Sequence, residues 1–202
     1  MSRRERKQGS KKMSGQISST YASKKRGAGM PGMRGLDHFG MTVPDMEQAV
    51  DFFCDVLGCQ ELYQLGSFRV DEGDWMTENL NVHARAEITN MRMIRCGHGT
   101  NIELFEYSAP DKRVELPRNS DNGSSHLCIY VDNIFTAVDY LNSQGVKVLG
   151  EPSLLSGAEA GEYWCYFLSP WGAQLELVSY PCGRGYEQHT KTRLWDTRDP
   201  AA

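Results

Sequence analysis

Four residues of types suited to chemistry stand out because they come as two matched pairs, His38 with Glu103 and His126 with Glu176. The stretch from His38 reads HFGMTVPDMEQAVDFFCDVLG and that from His126 reads HLCIYVDNIFTAVDYLNSQG. His38 then falls on His126, Val43 on Val131, Met46 on Ile134, and Ala49-Val50-Asp51 on Ala137-Val138-Asp139. Farther on, NIELFEY from Asn101 to Tyr107 matches QLELVSY from Gln174 to Tyr180, which puts Glu103 on Glu176. Two imidazoles and two carboxylates balance one divalent ion, and an octahedral ion so held keeps two positions for water or substrate. Without a cation, two carboxylates in a partly apolar cup repel each other and lose hydration.

The elements that must position these residues are legible in the periodicity. In each copy, alternation over the first residues gives way to helical spacing after a capping residue, Asp45 with Gln48 three later, or Asn133. Gly58 and Gly145 suit helix ends. Further strands fit Glu61 to Leu65 and Ala86 to Arg95 in the first copy, with a Gly97-His98-Gly99 turn before Asn101. In the second they fit Lys147 to Leu149 and Tyr163 to Leu168, followed by the turn Ser169-Pro170-Trp171-Gly172. Both copies read strand, helix, strand, strand, strand. Because side chains alternate across a strand, His38 shares a face with Gly40 and Thr42, and Glu103 with Asn101 and Phe105. His126 shares one with Cys128 and Tyr130, and Glu176 with Gln174 and Val178. All four ionisable residues thus face away from the aliphatic stripe meant for the helices, and pseudo-twofold packing of the copies would bring them together.

The first copy is longer by about 15 residues, placed at Phe68 to Arg85 and read as a loop or lid carrying Trp75 and Met76. Phe105, Tyr107, Tyr130, Trp164 and Trp171, with Cys128 beside His126, are candidate substrate-binding residues for a small apolar or aromatic molecule. Cys128 has no base at nucleophilic spacing, so it is read as inert. His98 reads as an exposed turn residue, and His83, in the insert, is within reach of the cup without being required there.

Composition bounds the rest. Of 202 residues, 40% are hydrophobic and 24% charged, the balance of a globular protein, and no apolar run is long enough to span a bilayer. Residues 1–34 hold ten Lys or Arg against one acid, a charge of +9, whereas the remainder holds 12 bases and 25 acids, or −13. The basic segment reads as a disordered tail, the acidic body argues against nucleic acid as a partner, and without a long apolar run no membrane partner is expected. The body divides into a domain at 35–182, with module one at 35–110 and module two at 123–182, and an extension at 183–202 that would dock on the body or a neighbouring subunit through Trp195. The six cysteines show no Cys-x-x-Cys pair and read as reduced thiols, with the cytoplasm as the default compartment.

On the His-initiated halves and their Ile/Leu-Glu-Leu closing strands, from about Leu36 to Tyr180, the sequence resembles the vicinal oxygen chelate superfamily. This is the fold of glyoxalase I, methylmalonyl-CoA epimerase, extradiol dioxygenases and fosfomycin-resistance proteins. The resemblance implies an α+β protein in which paired βαβββ modules form an open eight-stranded cup around one divalent metal, whether nickel, cobalt, manganese, zinc or iron. His38, Glu103, His126 and Glu176 resemble the four-ligand set of bacterial glyoxalase I. Where that resemblance calls for a glutathione-gripping arginine and an asparagine, this chain has Thr42 and Tyr107, which argues against glutathione. Residues 35–202 hold three lysines, Lys112, Lys147 and Lys191, too few for a coenzyme A phosphate cradle.

The activity so implied is that of a metal-dependent lyase or isomerase acting on a hydroxy-carbonyl or dicarbonyl compound through an enediolate. Glu176 would act as base, and Glu103 would return the proton. Iron(II) ring-cleaving oxygenase chemistry and non-catalytic ligand sequestration are the alternatives within the same fold. A homodimer is compatible with this reading, and so is a site completed within one chain.

Overall fold

In both copies, an opening strand with apolar residues at alternate positions runs into a side-chain cap and a helix. The computed structural model describes residues 29–200; most of the expected basic tail, residues 1–28, lies outside the described residues. In the first half, β1 (His38–Thr42) leads to α1 (Met46–Asp51), whose Asp45 cap accepts a hydrogen bond from the Gln48 backbone N–H at 2.9 Å. A wider π-helical turn, Phe52–Val56, continues α1, and Phe52 and Phe53 are both buried in it. Gly58, with φ at +74°, ends it in the left-handed conformation that suits glycine. Strands β2 (Gln60–Leu65), β3 (Phe68–Arg69), β4 (Glu87–Arg95) and β5 (Asn101–Ser108) follow, with α2 (Trp75–Leu80) between β3 and β4.

The second half repeats the plan. β6 (Leu127–Tyr130) precedes α3 (Ile134–Ser143), whose Asn133 cap accepts from the backbone N–H groups of Phe135 and Thr136. Then come β7 (Lys147–Leu154), β8 (Tyr163–Leu168) and β9 (Gln174–Ser179). The sheet orders match: β1-β5-β4-β2, with β3 also on β4, and β6-β9-β8-β7. In each, the opening strand lies parallel to the closing strand at the sheet edge, while the other pairings are antiparallel. This is the α+β arrangement of paired βαβββ modules, with the eight module strands divided between two mixed sheets.

What joins the halves is the core. Val43, Met46, Phe53 and Leu104 of the first half pack in one continuous cluster with Ile134, Val138, Phe167 and Leu175 of the second. Ile134, Val138 and Leu141 recur at helical spacing and turn one face of α3 into it. Each sheet therefore presents its aliphatic face to the shared interior. Trp171 from the β8–β9 turn packs on Phe52 and Phe53, with ring centroids 5.7 and 6.1 Å away, and Tyr140 donates to the Val56 carbonyl at 3.0 Å.

Two expectations are corrected here. The cysteines are not all free thiols: Cys59 and Cys96 form a disulfide, their Cα atoms 4.6 Å apart. The register pairs Gln60 with Arg95, so the residues just beyond them stand opposite each other across β2 and β4, at the separation of a narrow antiparallel pair. Their sequence separation of 37 carried no sign of this. Nor does the C-terminal extension dock on its own body through Trp195, which is exposed; there it is held by Arg184 and Arg198, both stacked on Tyr180. Among the described residues, no helix is long and apolar enough to cross a membrane.

Candidate active site

Strand register delivers the four predicted residues as two pairs. Gly40 is the Cα partner of Glu103 and Cys128 that of Glu176, so each carboxylate stands beside the strand that its histidine opens. His38 Nε2 lies 3.2 Å from Glu103 Oε2, and His126 Nε2 lies 3.0 Å from Glu176 Oε2. The carboxylates are mostly enclosed, at 19% and 15% side-chain exposure, and the imidazoles are more open, at 39% and 31%.

The outer nitrogen of each ring is also held. Asp37 Oδ2 lies 2.8 Å from His38 Nδ1, and Asn119 Oδ1 lies 3.3 Å from His126 Nδ1. An acceptor at Nδ1 favours the ring proton there, so that Nε2 can offer its lone pair to an ion held between imidazole and carboxylate, which is how protein shells prepare a histidine to bind a metal. The donor set therefore fits a divalent ion. Hydrogen bonding from Asp37 raises the His38 pKa, with the Glu103 and Asp37 charges adding to it against desolvation. Asp37 is adjacent to its histidine and was findable; Asn119 lies in the linker between halves, and nothing in its local pattern marked it.

A single chain keeps the pairs apart. Among the described residues, no three His, Cys, Asp or Glu side chains gather as a metal site would need. The expected four-way convergence within one chain is thus not present, and the core explains why. Both sheets turn their apolar faces to one interior, so the His–Glu faces look outward on either side of it.

The remaining candidates divide. Phe105 and Tyr107 lie together on the Glu103 face, ring centroids 5.7 Å apart, and burial together with the Glu103 charge raises the Tyr107 pKa. On the other face, Trp164 packs on Tyr166, which in turn sits 5.3 Å from the His126 ring. The Trp164 indole N–H is buried with no hydrogen-bond partner. Tyr166 shares its face with Trp164 by simple alternation, a signal the sequence contained. Surrounding atoms and the Glu176 carboxylate push the Cys128 thiol well above its ordinary value, so it remains a neutral thiol. Tyr130 lies against Tyr180, centroids 4.9 Å apart. Trp171 is misplaced as a cup liner, because its ring packs on Phe52 and Phe53 on the core side.

The insert is a built wall. Met76 is fully buried, Phe68 and Trp75 meet edge to face, and Arg85 ties the segment back by donating to the carbonyls of Val70 and Gly73. It bounds a cavity of about 860 Å³ whose lining includes Thr42 and Tyr107 from the Glu103 face together with His83. A second cavity, about 930 Å³, runs behind α1 past Asp51 and Gly145 and contains none of the His–Glu residues.

Comparison with known proteins fits this geometry. The profile of the Glyoxalase/Bleomycin resistance protein/Dioxygenase superfamily matches residues 35–177. The chain belongs to this superfamily. It is 48% identical over 171 residues to a 2-epi-5-epi-valiolone epimerase from Actinomyces sp, covering 84% of this chain and 92% of that protein. It is 30% identical over 118 residues to human mitochondrial methylmalonyl-CoA epimerase, spanning 57% of each. Among solved structures, a glyoxalase family protein from Bacillus cereus superposes with a TM-score of 0.57 at 18% identity, covering 75% of this chain and 98% of that one. Members of the superfamily commonly use a divalent metal, and the two kinds of epimerase among the relatives support isomerase chemistry for this member.

Proposed function

We propose that the protein is a metal-dependent epimerase of a small polyhydroxylated ketone, akin to the substrate named for its 48% identical relative. We also propose that its working site forms between the first half of one chain and the second half of another. The observation that carries this is the matched placement of the two pairs, His38–Glu103 and His126–Glu176, one in each half at the same register. Each half by itself offers one imidazole and one carboxylate.

His38, Glu103, His126 and Glu176 would hold the ion, which supplies Lewis acidity that makes the carbon next to a ketone more acidic. The chain's own residues do the rest. Glu176, whose carboxylate lies 3.0 Å from His126 Nε2, takes the proton from that carbon. Glu103, arriving from the other half and protonated beforehand from solvent, would deliver that proton to the opposite side of the carbon, inverting the centre, and Glu176 would then release its proton to solvent. Phe105, Tyr166 and Trp164 exclude water from the faces on which this happens. Among the described residues, the edge strands β1 and β6 each have one unpaired side, and a second copy placing its β6 face opposite β1 would bring the four side chains around one point.

Two measurements test this. Incubated in deuterium oxide with 2-epi-5-epi-valiolone and each of nickel, cobalt, manganese, zinc and iron(II), the protein should exchange the proton next to the ketone and form the second epimer. Absence of exchange with every ion overturns the reading. A mixed dimer, isolated by differential tags from co-expressed Glu103→Gln and Glu176→Gln chains, should show about half of wild-type activity, because one of its two sites is intact. A site contained within one chain would leave that dimer inactive.

A further inference from the structure

The two halves finish their open faces differently. At the far end of the second, Tyr130 and Tyr180 are covered by the chain's own cations: the Arg184 guanidinium lies 3.7 Å over the Tyr180 ring, and that of Arg198 lies 4.6 Å over it. Arg184 is pinned by buried Glu162, and Arg198 by Asp196 and the Tyr180 carbonyl. The open face of Tyr180 is thus taken up by the chain's own side chains. The matching residues of the first half are Thr42 and Tyr107, and the region between them is open, forming the cavity of about 860 Å³ walled by the insert and the 109–113 turn.

We propose that this cavity is the specificity subsite of the enzyme: it receives the hydroxyl groups of the substrate ring that lie away from the reacting carbon, and His83 and Arg113 are the residues that read them. The proposal rests on the epimerase reading and gives it a direction, since the substrate extends toward the first half's cavity alone. The lining chemistry supports hydroxyl groups over an anion or a hydrocarbon. His83 Nδ1 accepts the Arg85 backbone N–H at 3.0 Å, so in the neutral ring Nε2 carries the proton and is a free donor. Arg113 makes no hydrogen bond or ion pair among the described residues, so its five N–H groups are available. Lys112 is already engaged, donating to the Tyr107 carbonyl at 2.8 Å, and Asp111 offsets the remaining positive charge. Asn81 and Thr42 add groups that both donate and accept. Hydroxyls, which do both, suit such a mixed lining; a phosphate calls for an excess of cations.

Tyr107 and Phe105 connect this subsite to the reacting centre. They stand four and two residues beyond Glu103 on the same face of β5, about 13 and 7 Å along the strand. The Tyr107 phenol is near enough for the Glu103 carboxylate to raise its pKa. A polyhydroxylated ring held at Glu103 therefore extends over Phe105 toward Tyr107, which lines the cavity.

The test uses myo-inositol, a polyol ring with no carbonyl, as a probe that cannot react, so its binding reads the subsite whether or not epimerisation is found. Calorimetry on the wild-type protein should show binding. Arg113→Met, an exposed substitution that breaks no contact within the protein, and His83→Phe should each weaken it about tenfold, with Arg113→Lys recovering part of the loss. Arg198→Met, at the covered end of the second half, should leave the affinity unchanged. No binding to wild type, or equal affinity in wild type and Arg113→Met, overturns the proposal, as does a loss at Arg198→Met equal to that at Arg113→Met. Failure of the deuterium exchange with inositol binding intact would overturn the epimerase reading and leave the subsite standing.

Discussion

The two halves share a skeleton and differ in what covers it. In both, a capped helix follows an edge strand, and a histidine meets a glutamate from the parallel closing strand at 3.2 or 3.0 Å. The first half adds a disulfide and an insert that encloses open space. The second fills the corresponding space with a C-terminal segment whose arginines stack on Tyr180. The repeat has thus kept the two His–Glu pairs in register while the surroundings diverged. On the proposals above, chemistry is common to the halves and recognition belongs to one of them.

The sharpest way to break this comparison is to remove one carboxylate. Glu176→Gln should lower kcat by roughly a thousandfold, within the range for loss of a general base, and leave thermal unfolding nearly unchanged. Glu103→Gln should behave alike if both carboxylates handle protons, and a substantially active Glu103→Gln enzyme would reduce that residue to a ligand. Next in size is the first half's crosslink. Replacing Cys59 and Cys96 with serine frees a loop of 37 residues and should cost about 4 kcal/mol by denaturant titration. An unchanged midpoint would mean that the pair does not bond in solution.

The second half's counterpart to that crosslink is ionic. Arg184→Met strands the buried Glu162 carboxylate and should cost about 3 kcal/mol near neutral pH. Burial already raises the Glu162 pKa against the pull of Arg184, so the folded state holds this proton more tightly than the unfolded chain does. Stability linked to that proton is complete below the ordinary glutamate range and is lost as pH rises through the raised value. The Arg184→Met penalty should therefore be smaller at pH 5 than at pH 8, and a pH-independent penalty would show that packing on Tyr180 dominates. The smallest effects belong to what the halves share: Asp45→Ala and Asn133→Ala each remove a helix cap and should cost about 1 kcal/mol apiece.

Much of this could be read from residue order. The alternation around His38 and His126 put the right residues on the right faces, and Asp45 and Asn133 cap the helices as their types suggested. Trp171 went astray because a turn residue has no strand parity to orient it, and Phe52 and Phe53, buried side by side in the wide helical turn, receive it on the core side. The Cys59–Cys96 bond was invisible because it depends on the register of β2 against β4. Arg184 and Arg198 gave no signal either, since their partners Glu162, Tyr130 and Tyr180 are brought to them by the fold of the whole second half.

By itself, the order of residues determined the two modules, the elements within each, and the pairing of one imidazole with one carboxylate per module, because periods of 2 and 3.6 act between near neighbours along the chain. Only the tertiary structure decided which faces of the modules meet. Burying α1, α3 and the inner faces of both sheets in one interior removes the largest apolar surface from water, and that packing turns the His–Glu faces away from that interior, so among the described residues the two pairs do not gather at one point.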